Sequence, residues 1–485
     1  KFHSASVLRA DDVAEGRIGF YDTYDTRLGG DTVRASLWGD INHHGGPFVQ
    51  QHQVFVTVRS ARLTDNFTGF LFDPQAARQE PHGQRGDAID RSSFALTAGL
   101  KGFARYRGRV LERPQELELG YFGRFDLADG VQQRLLTSSP NTPYRRELDL
   151  QSMLSDVGLY ADAHLRLYDW VQLRGGVRMD LFTFNVLNRC AVQDVRRPSS
   201  SDTRGDASCL DQLDFGRYRE PDERASAVGT SVMPRGTLIV GPFAGVSLSG
   251  ALGRGVRSID PQYVTQNAET PFASIFAWEA GAQWTKQWEP LEVSARAIVF
   301  GTKVDKDLIF SQQAGRNVVG GATTRLGGLF SGRARGSFFD LAFNATYVQS
   351  KFDDTGLLVP CVPDLVLRGD GSVFRALPWN VFGSPVKLVL GLGYTFVGRR
   401  ALPYGQRSST ISVLDAHLEA GWRWVTLGVT CTNLLDTQYR LGEYNYASDF
   451  RTTPPYPTLV PARHFTAGAP RQVLFTIGLN LGGSS

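Results

Sequence analysis

Apolar side chains recur at every second position from one end of the chain to the other. Near the C-terminus Val473, Phe475, Ile477, Leu479 and Leu481 share one face, opposite Leu474, Thr476, Gly478 and Asn480. Leu414, Ala416, Leu418, Ala420, Trp422 and Trp424 alternate with Asp415, His417, Glu419, Gly421 and Arg423. Val171, Leu173, Gly175, Val177, Met179 and Leu181 alternate with Gln172, Arg174, Gly176, Arg178 and Asp180. A period of two is strand periodicity, because successive Cβ atoms point to opposite faces of a sheet. These runs last about 9 to 12 residues, the length a tilted strand needs to cross a bilayer.

Similar runs start near Ile18, Val33, Gln51, Phe94, Glu116, Val232, Phe243, Ser274, Leu291, Thr323, Ser337, Leu365 and Val386. With the final hairpins they predict about 18 strands. Their connections alternate in length. Short turns fall at 167–170, at Gly241-Pro242 and at 422–425. Long loops fall near 66–93, 187–226, 258–272 and 439–469. Short turns on one side and long loops on the other describe an antiparallel membrane barrel.

A soluble sandwich is the competing all-β architecture, with strands of about 5 or 6 residues. Full charges such as Arg174, Arg178 and Asp180 on one face suit a wet lumen. The opposite, apolar face then has to meet lipid. There every backbone donor and acceptor needs a partner, which a closed sheet supplies. Trp422 and Trp424 at a turn fit an interfacial aromatic girdle. The expectation is an all-β transmembrane antiparallel barrel filling 1–485 as one domain.

Composition agrees. Across 485 residues, 52 are Gly and 11% are aromatic, against 3 Met and 4 Cys. No window approaches 18 apolar residues, so no transmembrane helix is expected. A net charge of +4 with interspersed signs carries no nucleic-acid signature. Cys190 and Cys209 lie in one long polar segment. A disulfide there would close a loop in an oxidising compartment, and two free thiols are the alternative. Cys361 and Cys431 allow no pairing statement.

The segment Val429-Thr430-Cys431-Thr432-Asn433-Leu434-Leu435-Asp436-Thr437-Gln438-Tyr439 carries an N-L-L-D-x-x-Y pattern, and Gly468-Ala469-Pro470-Arg471 a G-x-P-R pattern. Upstream stand Gly158-Leu159-Tyr160-Ala161-Asp162 and Leu173-Arg174-Gly175-Gly176-Val177-Arg178-Met179-Asp180. Gly253 to Ser258, Trp278-Glu279-Ala280-Gly281 and Val304 to Ile309 follow in order. Together they resemble the barrel of TonB-dependent outer-membrane receptors, from about Asp156 to Leu481. The resemblance implies structural roles for Asn433, Leu434, Leu435, Asp436, Tyr439, Gly175, Gly176, Arg178 and Asp180. It implies energised uptake of a scarce nutrient, such as a siderophore, cobalamin or oligosaccharide, across the outer membrane of a Gram-negative bacterium. The family barrel has about 22 strands around a plug of about 150 residues. Neither the plug nor its TonB-contacting box is recognisable here. The chain is therefore expected to be the C-terminal portion of a receptor, its plug and TonB contact lying in the missing part. A passive porin-like channel, or a surface barrel without transport, stays open as an alternative.

No G-x-S-x-G, H-E-x-x-H, Walker loop or C-x-x-C pair is present, so no catalytic residue is expected. No cofactor or metal site is expected either. His43-His44 beside Gly45-Gly46-Pro47 reads as a solvated turn, and His417 as part of a polar wall with Asp415 and Glu419. The expected substrate surface is the loop after the N-L-L-D pattern: Tyr439, Arg440, Tyr444, Tyr446, Phe450, Arg451 and Tyr456, with Arg463 and Phe465 nearby. Rings and guanidinium groups together hold flat, anionic or sugar-like ligands. The alternative is that these rings only pack the loop.

Overall fold

The computed structural model describes residues 1–69, 88–110, 112–135, 143–189, 191–194, 217–220, 223–264, 271–312, 314–450 and 460–480. Strands dominate from end to end. The chain opens with β1 (Phe2–His3), β2 (Leu8–Arg9) and the short helix α1 (Ala10–Ala14). There follow β3 (Gly29–Gly45), β4 (Phe48–Asp65), β5 (Ala88–Val110), β6 (Arg113–Leu135), β7 (Pro143–Tyr168) and β8 (Val171–Asn188). A small hairpin, β9 (Ala191–Asp194) and β10 (Arg217–Glu220), precedes β11 (Glu223–Phe243), β12 (Val246–Ser258), β13 (Phe272–Trp288), β14 (Leu291–Ser311) and β15 (Arg316–Arg335). Then come β16 (Phe339–Phe352), β17 (Leu365–Val381), β18 (Ser384–Val397), β19 (Ile411–Trp422) and β20 (Val425–Thr432). The last are β21 (Arg440–Ala447), β22 (Pro461–Ala467) and β23 (Gln472–Leu479).

Eighteen strands form one sheet, and its wall is a series of 17 running β3 to β8, β11 to β20, then β23. Each neighbour is antiparallel to the last. The expectation of a large antiparallel barrel of about 18 strands holds. No helix among the described residues is long and apolar enough to cross a membrane, which says nothing of strands.

The register sorts the side chains. Val56, Ala98 and Phe125 follow one another across β4, β5 and β6 on one face. That face is bare of protein: Leu37 is 77% exposed, Leu119 57% and Leu159 67%. The other face carries the ions. Asp162 lies between Arg174 at 2.9 Å and Arg235 at 2.7 Å, and Arg178 holds Asp180 at 2.8 Å. Apolar outside and charged inside is the inverse of a soluble sheet, and it fits a lipid surround with a wet lumen.

Short turns between paired strands close one rim, with rings gathered around them. Phe48 meets Tyr106 at 5.0 Å, Tyr168 meets Trp170 at 5.4 Å, and Phe382 meets Trp422 at 5.9 Å. Trp288, Trp379 and Trp424 stand exposed at the same end. Amphipathic rings settle where lipid headgroups begin, so this end is the girdled rim.

Two expectations need correction. Ile18 starts no strand. Gly16 at a φ of +72°, and Asp22 accepting from the Gly19 amide at 2.8 Å, turn the chain instead. The turn expected at Gly241-Pro242 falls at Ala244-Gly245, whose φ values of +50° and +86° give the twist a tight hairpin requires. Gly241 and Pro242 sit in an irregularity of the β11–β12 register. The wall strands also run longer than expected, up to 26 residues in β7.

The series of wall strands has two free edges. Seventeen antiparallel strands leave the first and the last pointing the same way, and β3 and β23 form no register with each other. All eight residues of β23 are exposed, as is all of β3 from Asp31 to Gly45. Among the described residues, only β1 pairs with the outer edge of β3, with Phe2 opposite Gly30 and His3 opposite Gly29.

Candidate functional site

The long-loop end is drawn together over the lumen. The Gln132 amide donates to the Ala314 carbonyl at 2.8 Å, and the Gly315 backbone packs against Ile89. Val264, after a 3-10 turn at Pro261–Tyr263, packs on Leu150, Phe184, Val186 and Ala227. Phe67 meets Phe310 at 5.6 Å, and the Tyr446 hydroxyl donates to the Phe67 carbonyl at 2.7 Å.

Above this roof sits a cap sheet of β2, β22 and β21. Leu8 faces Phe465, and Tyr444 faces His464. Val7, Tyr446 and Phe450 form the cap's core, with Tyr24 stacked on Phe450 at 4.1 Å. His464 is fully buried and lies flat on Tyr446 at 3.9 Å. Its Nε2 meets the Ser448 hydroxyl, and its Nδ1 has no partner. Burial, with the Arg9 charge nearby, pulls its pKa down to about 3. Glu443 is the cap's ionic hub. It accepts from the Ser409 amide at 2.7 Å and faces Arg440 at 3.4 Å and Arg463 at 3.8 Å.

The N-L-L-D-x-x-Y and G-x-P-R residues clamp the two ends of this loop. Asn433 takes a φ of +51°, tolerated by a short polar side chain. Its side chain accepts from the Thr437 amide at 2.9 Å and donates to the Thr437 and Ala469 carbonyls at 3.0 and 3.1 Å. Asp436 accepts from the Arg471 amide at 2.9 Å. A Cβ on Gly468 would sit 2.1 Å from the Tyr439 ring, so that position has to stay bare. The Leu434 amide donates to the Leu414 carbonyl at 2.7 Å, while Leu435 is exposed.

The inner-wall motif has a similar cause. Asp162 lies opposite Gly176 and Gly158 opposite Asp180. A Cβ at Gly176 would come within 2.7 Å of the Asp162 carboxylate, and one at Gly158 within 1.8 Å of that of Asp180. The glycines make room for carboxylates that arginines then hold. Gly175 faces the other way, opposite Ala163.

The residues expected to meet substrate therefore divide. Tyr446 and Phe450 are buried in the cap core, at 5% and 4% exposure. Tyr439, Arg440 and Tyr444 are half-buried. Arg451 and Tyr456 lie outside the described residues, as do Cys190 and Cys209. Cys361 and Cys431 are free thiols. His43 and His44 stand exposed where β3 turns, and His417 binds Thr430 at 2.9 Å with Glu419 at 3.7 Å. Among the described residues no three His, Cys, Asp or Glu side chains gather as a metal site. The cap's use of Val7, Leu8, Glu443 and His464 was not visible in the sequence. The alternation of Arg463, His464 and Phe465 was its one local signal.

Known proteins give the same picture. The family model described as TonB dependent receptor-like, beta-barrel, matches residues 4–434. The ferric yersiniabactin uptake receptor FyuA of Yersinia pestis superposes with a TM-score of 0.66 at 12% identity, over 94% of this chain and 63% of its own. The ferric-catecholate import receptor Fiu of E. coli K12, in its open form, gives 0.62 at 13%, over 98% and 67%. The ferric citrate transporter FecA, unliganded, gives 0.66 at 12%, over 97% and 65%. The chain thus spans roughly two thirds of each receptor's length. No curated protein matches it. With that family match covering most of its length, on a wall with apolar outer and ionic inner faces, this chain belongs to the TonB-dependent receptor β-barrel family.

Proposed function

We propose that this chain forms the wall and cap of an outer-membrane receptor of a Gram-negative bacterium, taking up a scarce nutrient with TonB-coupled energy. The observation that carries the reading is the family match together with the roofed lumen. A roof tied across the mouth argues against a passive pore. The solved relatives are receptors for ferric yersiniabactin, ferric catecholates and ferric citrate, and another is a copper transporter. A metal chelate is the nutrient class that these neighbours support best. Tyr439, Arg440 and Tyr444 are the proposed contacts on the cap, Arg451 and Tyr456 are proposed as contacts from the sequence alone, and Tyr446 and Phe450 hold the cap's shape. The bilayer supplies the outer surroundings, and no chemical step is assigned.

The chain is further proposed to be the C-terminal portion of its receptor, completed by the plug and by additional strands. The free edges support this. β3 and β23 run the same way, so an antiparallel closure needs an odd number of added strands. A second copy in the same membrane would bring only strands of the same direction to either edge. β1 already places two residues on β3 in the required antiparallel sense.

Uptake of radiolabelled ferric citrate and ferric catecholate by cells producing the receptor, with and without a proton uncoupler, tests the transport reading. Uptake abolished by the uncoupler is expected. Uptake that continues at the same rate without the proton gradient overturns it.

A further inference from the structure

Around β16 to β18 the lumen face carries paired ions: Arg333 holds Asp340, and Arg368 holds Asp370. Arg375 on β17 stands on the other face. It follows Gly369, Gly371 and Val373 at every second position, and the register sets it opposite Leu388. Val373 is exposed on the apolar outer surface. Arg375 makes no hydrogen bond or ion pair among the described residues, and neither Val373 nor Leu388 can answer its charge. A cation on the lipid side of a membrane wall is costly unless its long side chain reaches an anion at headgroup level.

Further along the same strand, away from the girdled rim, the outer surface is hollow. Gly371 lies opposite Leu341 on β16 and Leu392 on β18, and Gly369 opposite Phe343 and Tyr394. These four side chains make two ridges about 10 Å apart, two strand spacings, with a bare floor between them. A Cβ on Gly369 would meet nothing nearer than Phe343 at 3.9 Å, so the floor is open and not filled by a neighbour. The hollow continues past Gly332 to Val293 as one almost wholly apolar cavity of about 550 Å³. Arg333 and Asp370 also border it, but their side chains are engaged in the lumen pairs. At its far border Lys286 lies opposite Val293, likewise without a partner among the described residues. Glycine inside a strand weakens it and marks a place where another chain comes close.

We propose that this hollow seats a glycerophospholipid, with an acyl chain over Gly369 and Gly371 and the phosphate on Arg375. Arg375 stands about 13 Å from Gly371 along the strand, the order in which a lipid places its phosphate, its glycerol and then its chain. The free guanidinium fork matches two phosphate oxygens, and Val373 between the two ends faces the glycerol region. Charge and shape thus name one occupant. An apolar ridge-and-floor channel suits a hydrocarbon chain, and the unanswered cation at its foot calls for an anionic headgroup. The site rests on the lipid-facing reading of the wall and goes beyond the uptake reading.

Native mass spectrometry of the receptor, extracted intact from outer membranes into mild detergent and washed free of lipid, tests the seat by titration with phosphatidylglycerol and with diacylglycerol. A tightly held phosphatidylglycerol is expected, with diacylglycerol, which lacks the phosphate, bound more weakly. Arg375→Gln should weaken phosphatidylglycerol roughly fivefold, the worth of one cation at the headgroup surface. Gly369→Leu, which fills the channel, should weaken both lipids. Gly236→Leu, an equally open position on the outer face of β11, should change neither. Should Gly369→Leu fail to assemble, Arg375→Gln, which breaks no contact, carries the test. Diacylglycerol held as firmly as phosphatidylglycerol, unchanged affinity in Arg375→Gln, or a loss confined to Lys286→Gln overturns the proposal. A dimer mass that Gly369→Leu abolishes would give the face to a second copy and overturn it too. None of these outcomes depends on energised uptake.

Discussion

Leu119 on the wall and Leu441 on the cap are equally bare of protein, at 57% exposure each, yet they meet different surroundings. Leu119 belongs to a continuous apolar face with Leu117, Phe125 and Leu127. Leu441 stands on β21, whose neighbours Glu443, Asn445 and Tyr446 are buried. The wall turns its oily side outward and keeps its ions within. The cap does the reverse, burying Phe465, His464 and Glu443 beneath a watery surface. Exposure alone therefore says nothing about preference, since the medium on the other side decides the sign. One chain follows two burial rules, and the girdled rim and the cap lie on opposite sides of the membrane band.

Arginine at both leucines separates the rules most sharply. Leu119→Arg is expected to destabilise the barrel by about 2–3 kcal/mol, the cost of a charge inside the hydrocarbon band between the girdle and the midplane. Leu441→Arg is expected to change stability by less than about 0.5 kcal/mol, as for an ordinary surface site. Urea unfolding in lipid vesicles measures both. Equal effects would erase the distinction.

A smaller effect is expected at the clamp. Asn433→Ala removes three side-chain hydrogen bonds at a position 2% exposed, leaving the Ala469 carbonyl and the Thr437 amide unanswered. The expected loss is about 1–3 kcal/mol, felt in the cap and not in the wall. Hydrogen exchange should speed up in β21 and β22 while β5 to β7 keep their protection.

Acid should loosen the cap next. His464 is buried neutral with its pKa near 3, whereas a free histidine titrates at about 6.5. The folded pKa is the depressed one, so protons bind the opened cap first. Cap stability is complete above about pH 6.5 and falls by up to about 1.4 kcal/mol per pH unit below it. His464→Gln should flatten that slope in pH-dependent exchange of the β21 and β22 amides. An unchanged slope would place the titrating group elsewhere.

The last comparison is at the girdle. Removing the Tyr106 ring from Phe48 in Tyr106→Ala should cost about 0.5–1.5 kcal/mol beyond the lost area, seen as a modest shift in the urea midpoint.

The wall was legible in the sequence because its rule is local. In a stretch such as Val171 to Asp180, every second residue states which side it faces. The clamp was legible as a pattern, and its reason came only with the coordinates: Gly468 stays bare because the Tyr439 ring lies on it. The cap was not legible. Val7 and Leu8 meet Tyr446 and Phe465 from the far end of the chain, and no local period reports such a contact. The same holds for the hollow over Gly369 and Gly371, whose ridges come from β16 and β18.

Site-directed spin labelling along β6 in lipid vesicles, one cysteine at a time from Glu116 to Leu127, addresses the membrane reading most directly. Contact with dissolved oxygen should peak at positions 117, 119, 121, 123, 125 and 127, where the polar nickel reagent should reach least. The even-numbered positions between them should show the opposite. Both reagents rising and falling together, or no alternation at all, would contradict a wall with lipid outside and water within.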